Sequence, residues 1–548
     1  MNGPDQRYWV LIETGANQAY IFDTNRLRHV VGASYLVHQL GTAWVPEAAR
    51  RHGADVVYAI SGKALLLTGD PEIGRNVISE VSDRTLEQAP GLEVTGVVGP
   101  GFDPVLAWFP AMNGEREERA GSDSLNHVEA LESTYEVLEA ARRARPPALL
   151  RDPMLPWFEP CRESGLPVAG AEDHPEQALA AASVLAKAAA RFAARGRMRD
   201  LFADQPDVVP AERDDLADAA WLAVIHADGN GIGQLFTSFP DRALTAGSRQ
   251  DPAAGLTLEE HVRQLAEFTH GLARATETAL ALAVRDATQD RDADGSVLPV
   301  VFGGDDVTVV CDARFALDIA RRFVLMFQEQ TAVSGAVSAL AARPLTAAAG
   351  IAYVKPHHPF SAAYALAEEL TASAKSIRST GDREVSAIDF HVAFESTLAD
   401  LAALRERLSA GGLARYGGPY AVTAADEHDA GQRDIAVLDQ TQRTVAALSS
   451  STAHDLREGL ARGPEEFASR LHLATLSPGL PEKVTPEDIS RLAPVLPGDP
   501  GPGDGEALPV ARLLDAMLLQ AVTGDEPGDQ KRTESSSAGS SPSAGMRS

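Results

Sequence analysis

Cysteine is scarce in this chain. Cys161 and Cys311 are the only two among 548 residues, which excludes a disulfide framework and a four-cysteine zinc site. Basic residues are also in short supply. Lys and Arg number 49 against 77 Asp and Glu, a formal net charge of −28. Non-specific binding to nucleic acid rests on basic surface, so no autonomous high-affinity nucleic-acid binding is expected. A local basic groove, or nucleic acid held by partner subunits, stays compatible with this balance. No apolar run reaches the ~20 residues a membrane span needs. The first residues lack the order of a secretory signal, so the expected location is cytoplasmic, with no membrane partner.

A hydrophobic content of 44% is ample for sizeable cores. Its most informative stretch is Leu298-Pro-Val-Val-Phe-Gly-Gly-Asp-Asp-Val-Thr-Val-Val310. Two apolar, β-branched runs flank a turn in which Gly303 and Gly304 allow backbone geometry that residues with a Cβ avoid. The turn presents Asp305 and Asp306 at a hairpin tip. Upstream, Trp221-Leu-Ala-Val-Ile-His-Ala-Asp228 is a second apolar strand ending in an acid, followed by Gly-Asn-Gly-Ile-Gly233. Carboxylates at the ends of neighbouring strands are the minimal apparatus for holding divalent metal on nucleotide phosphates. The chain reads as a nucleotide-polymerising or nucleotide-cyclising enzyme, or a descendant of one.

Two similar halves emerge along the chain. The first places strands at 8–13, 55–60, 63–68 and 92–98, with helices at 26–40 and 72–86. The order is β-α-β-β-α-β, a ferredoxin-like unit. The second repeats it with strands at 221–228, 297–303, 306–311 and 346–354, and helices at 256–287 and 313–332. Residues 229–255 form a longer connection, and a helix at 360–377 and a strand near 384–390 follow. The expected fold class is α+β, with two palm-like domains and helical intervening and C-terminal domains. The expected domains are 1–104, 105–220 (mainly helical), 221–395, 396–524 (helical) and a polar, disordered tail over 525–548. Helices are expected at 127–145, 174–195, 395–408 and 441–460.

The topology places the acids. In a ferredoxin-like sheet the third strand lies between the first and second, so the end of strand one sits beside the turn between strands two and three. Asp228 should therefore approach Asp305 and Asp306. The glycines after Asp228 would let backbone groups come close to metal and phosphates.

Several separate signatures together resemble the large, polymerase-like subunit of type III CRISPR effector complexes. Thr14-Gly-Ala-Asn-Gln-Ala-Tyr-Ile-Phe22 and Leu27-Arg-His-Val-Val-Gly-Ala-Ser34 resemble the opening of that family's first palm. Ala227-Asp-Gly-Asn-Gly-Ile-Gly233 and Gly303-Gly-Asp-Asp306 resemble the metal motifs of its second palm. Ala349-Gly-Ile-Ala352, His358-Pro359, Ala374-Lys375 and Ala387-Ile-Asp-Phe-His391 resemble the elements that complete it. The resemblance implies an enzyme that joins ATP into cyclic oligoadenylate when target RNA is recognised. Its partners would be ATP, and CRISPR RNA and target RNA through other effector subunits. It implies that Asp228, Asp305 and Asp306 are catalytic, and that together with the Gly229 backbone they hold two Mg²⁺ or Mn²⁺ ions. The metals would neutralise the triphosphate and activate a ribose 3′-hydroxyl. Nucleotide contacts would come from Ser34, Gly229, Asn230, Gly231, Gly303, Gly304 and Lys375.

The departures from the family pattern matter as well. The first palm's hairpin is Ser61-Gly62-Lys63, without acids, so that half should hold nucleotide without metal. The family's N-terminal nuclease domain is expected to be absent, since the first strand begins near residue 8. Cys161-Arg-Glu-Ser-Gly165 keeps one cysteine where relatives carry a zinc site, and the zinc is expected to be lost. Lys375 reads equally as a phosphate ligand and as a solvated helix residue, and Ser34 better as a packing residue than as a ligand. A stand-alone cyclase with another trigger, and a catalytically silent scaffold, are the alternative functions.

Overall fold

The structure is a computed structural model. It describes residues 6–110, 124–145, 155–172, 178–205, 208, 216, 219–247, 255–289, 296–341, 343–377, 384–394, 400–408, 416–422, 433–476, 485–492 and 508–524. The first sheet contains β1 (Arg7–Gly15), β2 (Asp55–Ile60), β3 (Lys63–Thr68) and β4 (Glu93–Phe102) in the order β2-β3-β1-β4. That is the expected ferredoxin-like order. Its crossover helices are Leu27–Gln39 and Pro71–Gln88. The second of these starts where Asp70 accepts a 2.9 Å bond from the Glu72 amide and Pro71 supplies a preset first turn.

Between the palms the chain is not helical throughout. The helices His127–Ala144 and Ala182–Leu201 flank a small hairpin, β5 (Val168–Ala171) with β6 (Leu179–Ala181). The helix expected from residue 174 thus begins eight residues later, because residues 179–181 pair as a strand first.

The second sheet comprises β7 (Leu222–Gly229), β8 (Val297–Gly303), β9 (Asp306–Asp312), β10 (Ala347–Val354), β11 (Ala387–Val392) and β12 (Tyr420–Ala421). Its order is β12-β11-β10-β7-β9-β8. The four strands β8-β9-β7-β10 repeat the first sheet's order, and β11 extends it in parallel with β10. The connection after β7 holds two short helices, Ile232–Thr237 and Phe239–Gly247. The long helix Leu258–Thr288 starts at a capping box in which Thr257 and Glu260 satisfy one another's backbone groups. Asp312 ends β9 and immediately caps the helix Ala313–Val333 through the Arg314 amide at 2.9 Å.

Both sheets are covered on both faces. Along β1, Trp9 and Leu11 face one core while Val10 and Ile12 face another, which joins residues of both palms. Strands buried on both sides read as continuous apolar runs, as both central strands do. The palms also meet through aromatic stacking. Phe22 lies 3.9 Å from the Tyr364 ring and 5.9 Å from Phe360 on the helix Phe360–Ala374.

The C-terminal region, expected to be helical, is mostly so where it is described, but Tyr420–Ala421 pairs antiparallel with β11 as an edge strand of the second sheet. The single helix expected over 441–460 is two, Ile435–Ala447 and Ser450–Arg462. Leu448 leaves helical geometry, and Ser449 caps the second helix through the Thr452 amide at 3.1 Å. Serine competes with the backbone in this way without any Gly or Pro to announce it. The proline-rich break at 496–503 and the tail from 525 lie outside the described residues.

Candidate active site

β7 and β9 are antiparallel neighbours, with Ala227 opposite Val307. One step further along this register sets Asp228 opposite Asp306. The hairpin β8–β9 closes with Gly303 opposite Asp306, leaving Gly304 and Asp305 at the tip. Gly303 and Gly304 have φ of 147° and 75°, the left-handed region in which a Cβ is strained. The three carboxylates meet as expected: one oxygen from each of Asp228, Asp305 and Asp306 lies within 4.8 Å of the others. Among the described residues this is the only group of three or more potential metal-binding side chains.

Such a cluster is unfavourable without a counter-charge. Burial, and then the charge of Asp228, push the Asp305 carboxyl up to about 6. Burial and the charges of Asp305 and Asp228 raise Asp306 well above the ordinary carboxylate range, although solvent reaches its tip. Hard oxygen donors packed this closely and raised in this way fit a divalent cation. Lys375, at the C-terminal end of the helix Phe360–Ala374, ion-pairs with Asp228. It is therefore at the site and is not a free surface lysine.

A proton must leave before these oxygens can bind a cation. Mn²⁺ affinity should hold at alkaline pH and fall as pH drops through about 6, the value to which Asp305 is raised. The expected slope is about tenfold per pH unit for one displaced proton. Mn²⁺ titrations between pH 5 and 8 at constant ionic strength check this, and a flat profile would contradict it.

The remaining expected ligands divide. Gly229 ends β7 beside the acids. Asn230 is committed to the scaffold: its side-chain nitrogen donates to Thr346 Oγ1 at 3.0 Å and to the Val385 carbonyl at 3.2 Å. Gly231 is left-handed, and a Cβ there would come within 3.1 Å of Glu384 Oε2. Ser34 is 5% exposed on the helix Leu27–Gln39, a position that favours packing.

Three features escaped sequence reasoning. His226 on β7 faces Thr308 Oγ1 at 3.2 Å and packs edge-on to Tyr364. Burial lowers its imidazole to about 4, so it is neutral at pH 7. The second feature is the first palm's counterpart of the acids. Glu13 lies opposite Lys63 in the β1–β3 ladder, the register that Asp228 and Asp306 share in the second palm. Glu13 is tied to Arg142 at 2.8 Å. The charge of Lys63 reaches across to lower both Asp305 and Asp306. A strand ending in an acid, common to both halves, was the available signal. The third feature is Arg197, which touches the turn itself.

Residues 221–383 match the family described as Cas10/Cmr2, second palm domain. That stretch is similar to a Cas10/Cmr2 second palm, and it takes in β7 to β10 and all three acids. No curated protein matches the chain. Among solved structures, it is similar to a Csm1–Csm4 cassette in complex with cA4, at 14% identity and TM-score 0.42, covering 94% of this chain and 70% of the other. It is similar to Csm1 of T. onnurineus at 14% identity and TM-score 0.41, with 94% and 70% covered. A Csm1–Csm4 cassette with one ATP shows 13% identity and TM-score 0.42, with 95% and 70% covered. Among the described residues no helix is long and apolar enough to cross a membrane.

Proposed function

We propose that this chain is a metal-dependent nucleotidyltransferase that joins ATP into cyclic oligoadenylate within a type III CRISPR defence complex. The observation that carries the reading is the cluster of Asp228, Asp305 and Asp306 within 4.8 Å, where the end of β7 meets the β8–β9 hairpin in the stretch that matches a Cas10/Cmr2 second palm. Asp228, Asp305 and Asp306, with the Gly229 carbonyl, would hold Mg²⁺ or Mn²⁺. A divalent ion there supplies charge neutralisation of the triphosphate and activation of the attacking 3′-hydroxyl.

The chain's own residues do the rest. The turn at Gly303 and Gly304, whose backbone geometry glycine adopts without strain, holds Asp305 and Asp306 beside Asp228 and facing Ser61 of the first palm's hairpin. Lys375 neutralises Asp228 in the resting protein and is placed to exchange that carboxylate for a phosphate oxygen, as a mobile point charge. The first palm has Glu13 and Lys63 where the second has Asp228 and Asp306, and Arg142 occupies Glu13. That palm therefore binds nucleotide without metal, and Lys63 adds positive charge opposite the acids. Two bound nucleotides facing one another convert a bimolecular attack into an intramolecular one.

Alignment of the two palms controls the rate, so partner subunits act by favouring the aligned state and add no catalytic group. The expected result is weak turnover by the chain alone. With partner subunits and target RNA, ATP becomes 3′–5′ linked cyclic oligonucleotide with release of pyrophosphate. Mass spectrometry of products formed with Mn²⁺ is the test. Only linear RNA, only ADP with phosphate, or no product under any RNA or partner condition would overturn the proposal.

A further inference from the structure

Arg197 lies far from the motifs in sequence, near the end of the helix Ala182–Leu201 between the two palms. Its guanidinium donates to the Phe302 carbonyl, immediately before the acidic turn, and stacks 3.8 Å over the Phe302 ring. A Cβ on Gly303 would lie 3.5 Å from the same guanidinium nitrogen and 3.3 Å from Ser61 Cβ of the opposing hairpin. Glu277 of the helix Leu258–Thr288 lies 3.7 Å away. One residue before it, the Thr276 hydroxyl sits 2.7 Å from the Gly304 carbonyl. The turn is thus held by its backbone oxygens on both sides of Gly303. The Arg197 side chain is only 13% exposed; burial first, and then the charge of Arg197, lower the imidazole of His38 on the first palm's helix.

The other end of the same helix is fastened to the first palm. Lys187 donates to Asp23 at 2.6 Å and to the Tyr20 carbonyl at 2.7 Å. The helix backbone there lies so close to Gly32 that a Cβ would come within 1.9 Å of the Lys187 carbonyl. Lys187 and Arg197 are ten residues apart, about 15 Å along a helix.

We propose that Arg197 is a positioning residue for the metal-binding turn, setting where Asp305 and Asp306 stand relative to the first palm. This rests on Asp228, Asp305 and Asp306 being the metal site. Arg197 touches neither acid. It acts by fixing the carbonyl that precedes Gly303, a residue whose φ of 147° other residues rarely adopt, while Thr276 holds the carbonyl that follows it. Groups that orient metal ligands from behind change metal affinity by roughly 10–100-fold when removed.

The experiment is a Mn²⁺ titration of the full chain followed by electron paramagnetic resonance, with a thermal melt of each variant. Arg197→Ala should weaken Mn²⁺ binding about tenfold. Arg197→Lys, which keeps a donor but loses the planar stack, should fall between. Arg199→Ala, on the exposed side of the same helix, should bind as the unsubstituted chain does. Should Arg197→Ala not fold, Arg197→Lys and Arg197→Gln carry the comparison. Any folded Arg197 variant with unchanged melting and unchanged Mn²⁺ affinity overturns the proposal, provided Asp305→Ala abolishes binding. If the unsubstituted chain binds no Mn²⁺ that Asp305→Ala removes, the metal site itself fails and this inference with it.

Discussion

Asp305→Ala, or Asp228→Ala, should lower nucleotide turnover by about 10³-fold or more, since each removes an oxygen donor from the proposed cation site. Asp305→Ala should also leave the metal-free protein folded and more stable above pH 6. The sign follows from the raised carboxyls. Asp305 is held at about 6 and Asp306 well above its ordinary value, so between roughly pH 4 and 6 the folded chain binds more protons than the unfolded one. Stability of the metal-free protein therefore falls as pH rises through that window. Removing one acid relieves the repulsion, and a gain in melting temperature of about 2–4 °C per kcal/mol relieved is expected at pH 8, shrinking towards pH 4. Added Mn²⁺ should reverse the order and favour the unsubstituted chain. Steady-state kinetics and melting curves with and without metal decide it. Turnover that survives both substitutions would remove the site.

Gly350→Ala should be among the most damaging single changes in the second palm. Gly350 sits in the middle of β10, between β7 and β11, and the helix Phe360–Ala374 crosses directly above it. A Cβ would come within 2.1 Å of the Ala367 carbonyl and 2.5 Å of the Thr371 nitrogen. Both are backbone, so no side chain can swing away, and the helix must lift. Overpacking of this kind costs about 3 kcal/mol. The helix carries Lys375 at its end, and Thr371 bonds the His226 carbonyl at 2.9 Å. The variant should therefore lose the Lys375–Asp228 ion pair along with stability. Denaturant titration would show a lowered midpoint, and a variant as stable as the original would mean the helix is not seated as described.

Much of this site was legible before any coordinates. The β8 and β9 boundaries follow from two β-branched runs bracketing Gly303 and Gly304, and strand order alone brings Asp228 to them. Such inference works because period and turn chemistry are local, while ferredoxin-like connectivity allows few arrangements. What stayed hidden depends on docking. Arg197 is one arginine among several on an alanine-rich helix, and only the seat of that helix against Gly32 aims it at Phe302. The paired strands Val168–Ala171 and Leu179–Ala181 are too short to show alternation. The break at Leu448 has no punctuating Gly or Pro, only Ser449 in a polar run where serine is unremarkable. Glu13 was visible as a strand-terminal acid, but its partner Arg142 comes from a helix 129 positions later.

The register shared by Glu13–Lys63 and Asp228–Asp306 gives the paired sheets a direction. Two identical palms would be interchangeable, and either nucleotide could attack the other. Here an acid faces a base on one side and an acid on the other, so the two proposed nucleotide seats differ in charge. A growing strand that keeps its reactive end at the acidic seat would lengthen in one sense only, with no moving part required to choose between ends.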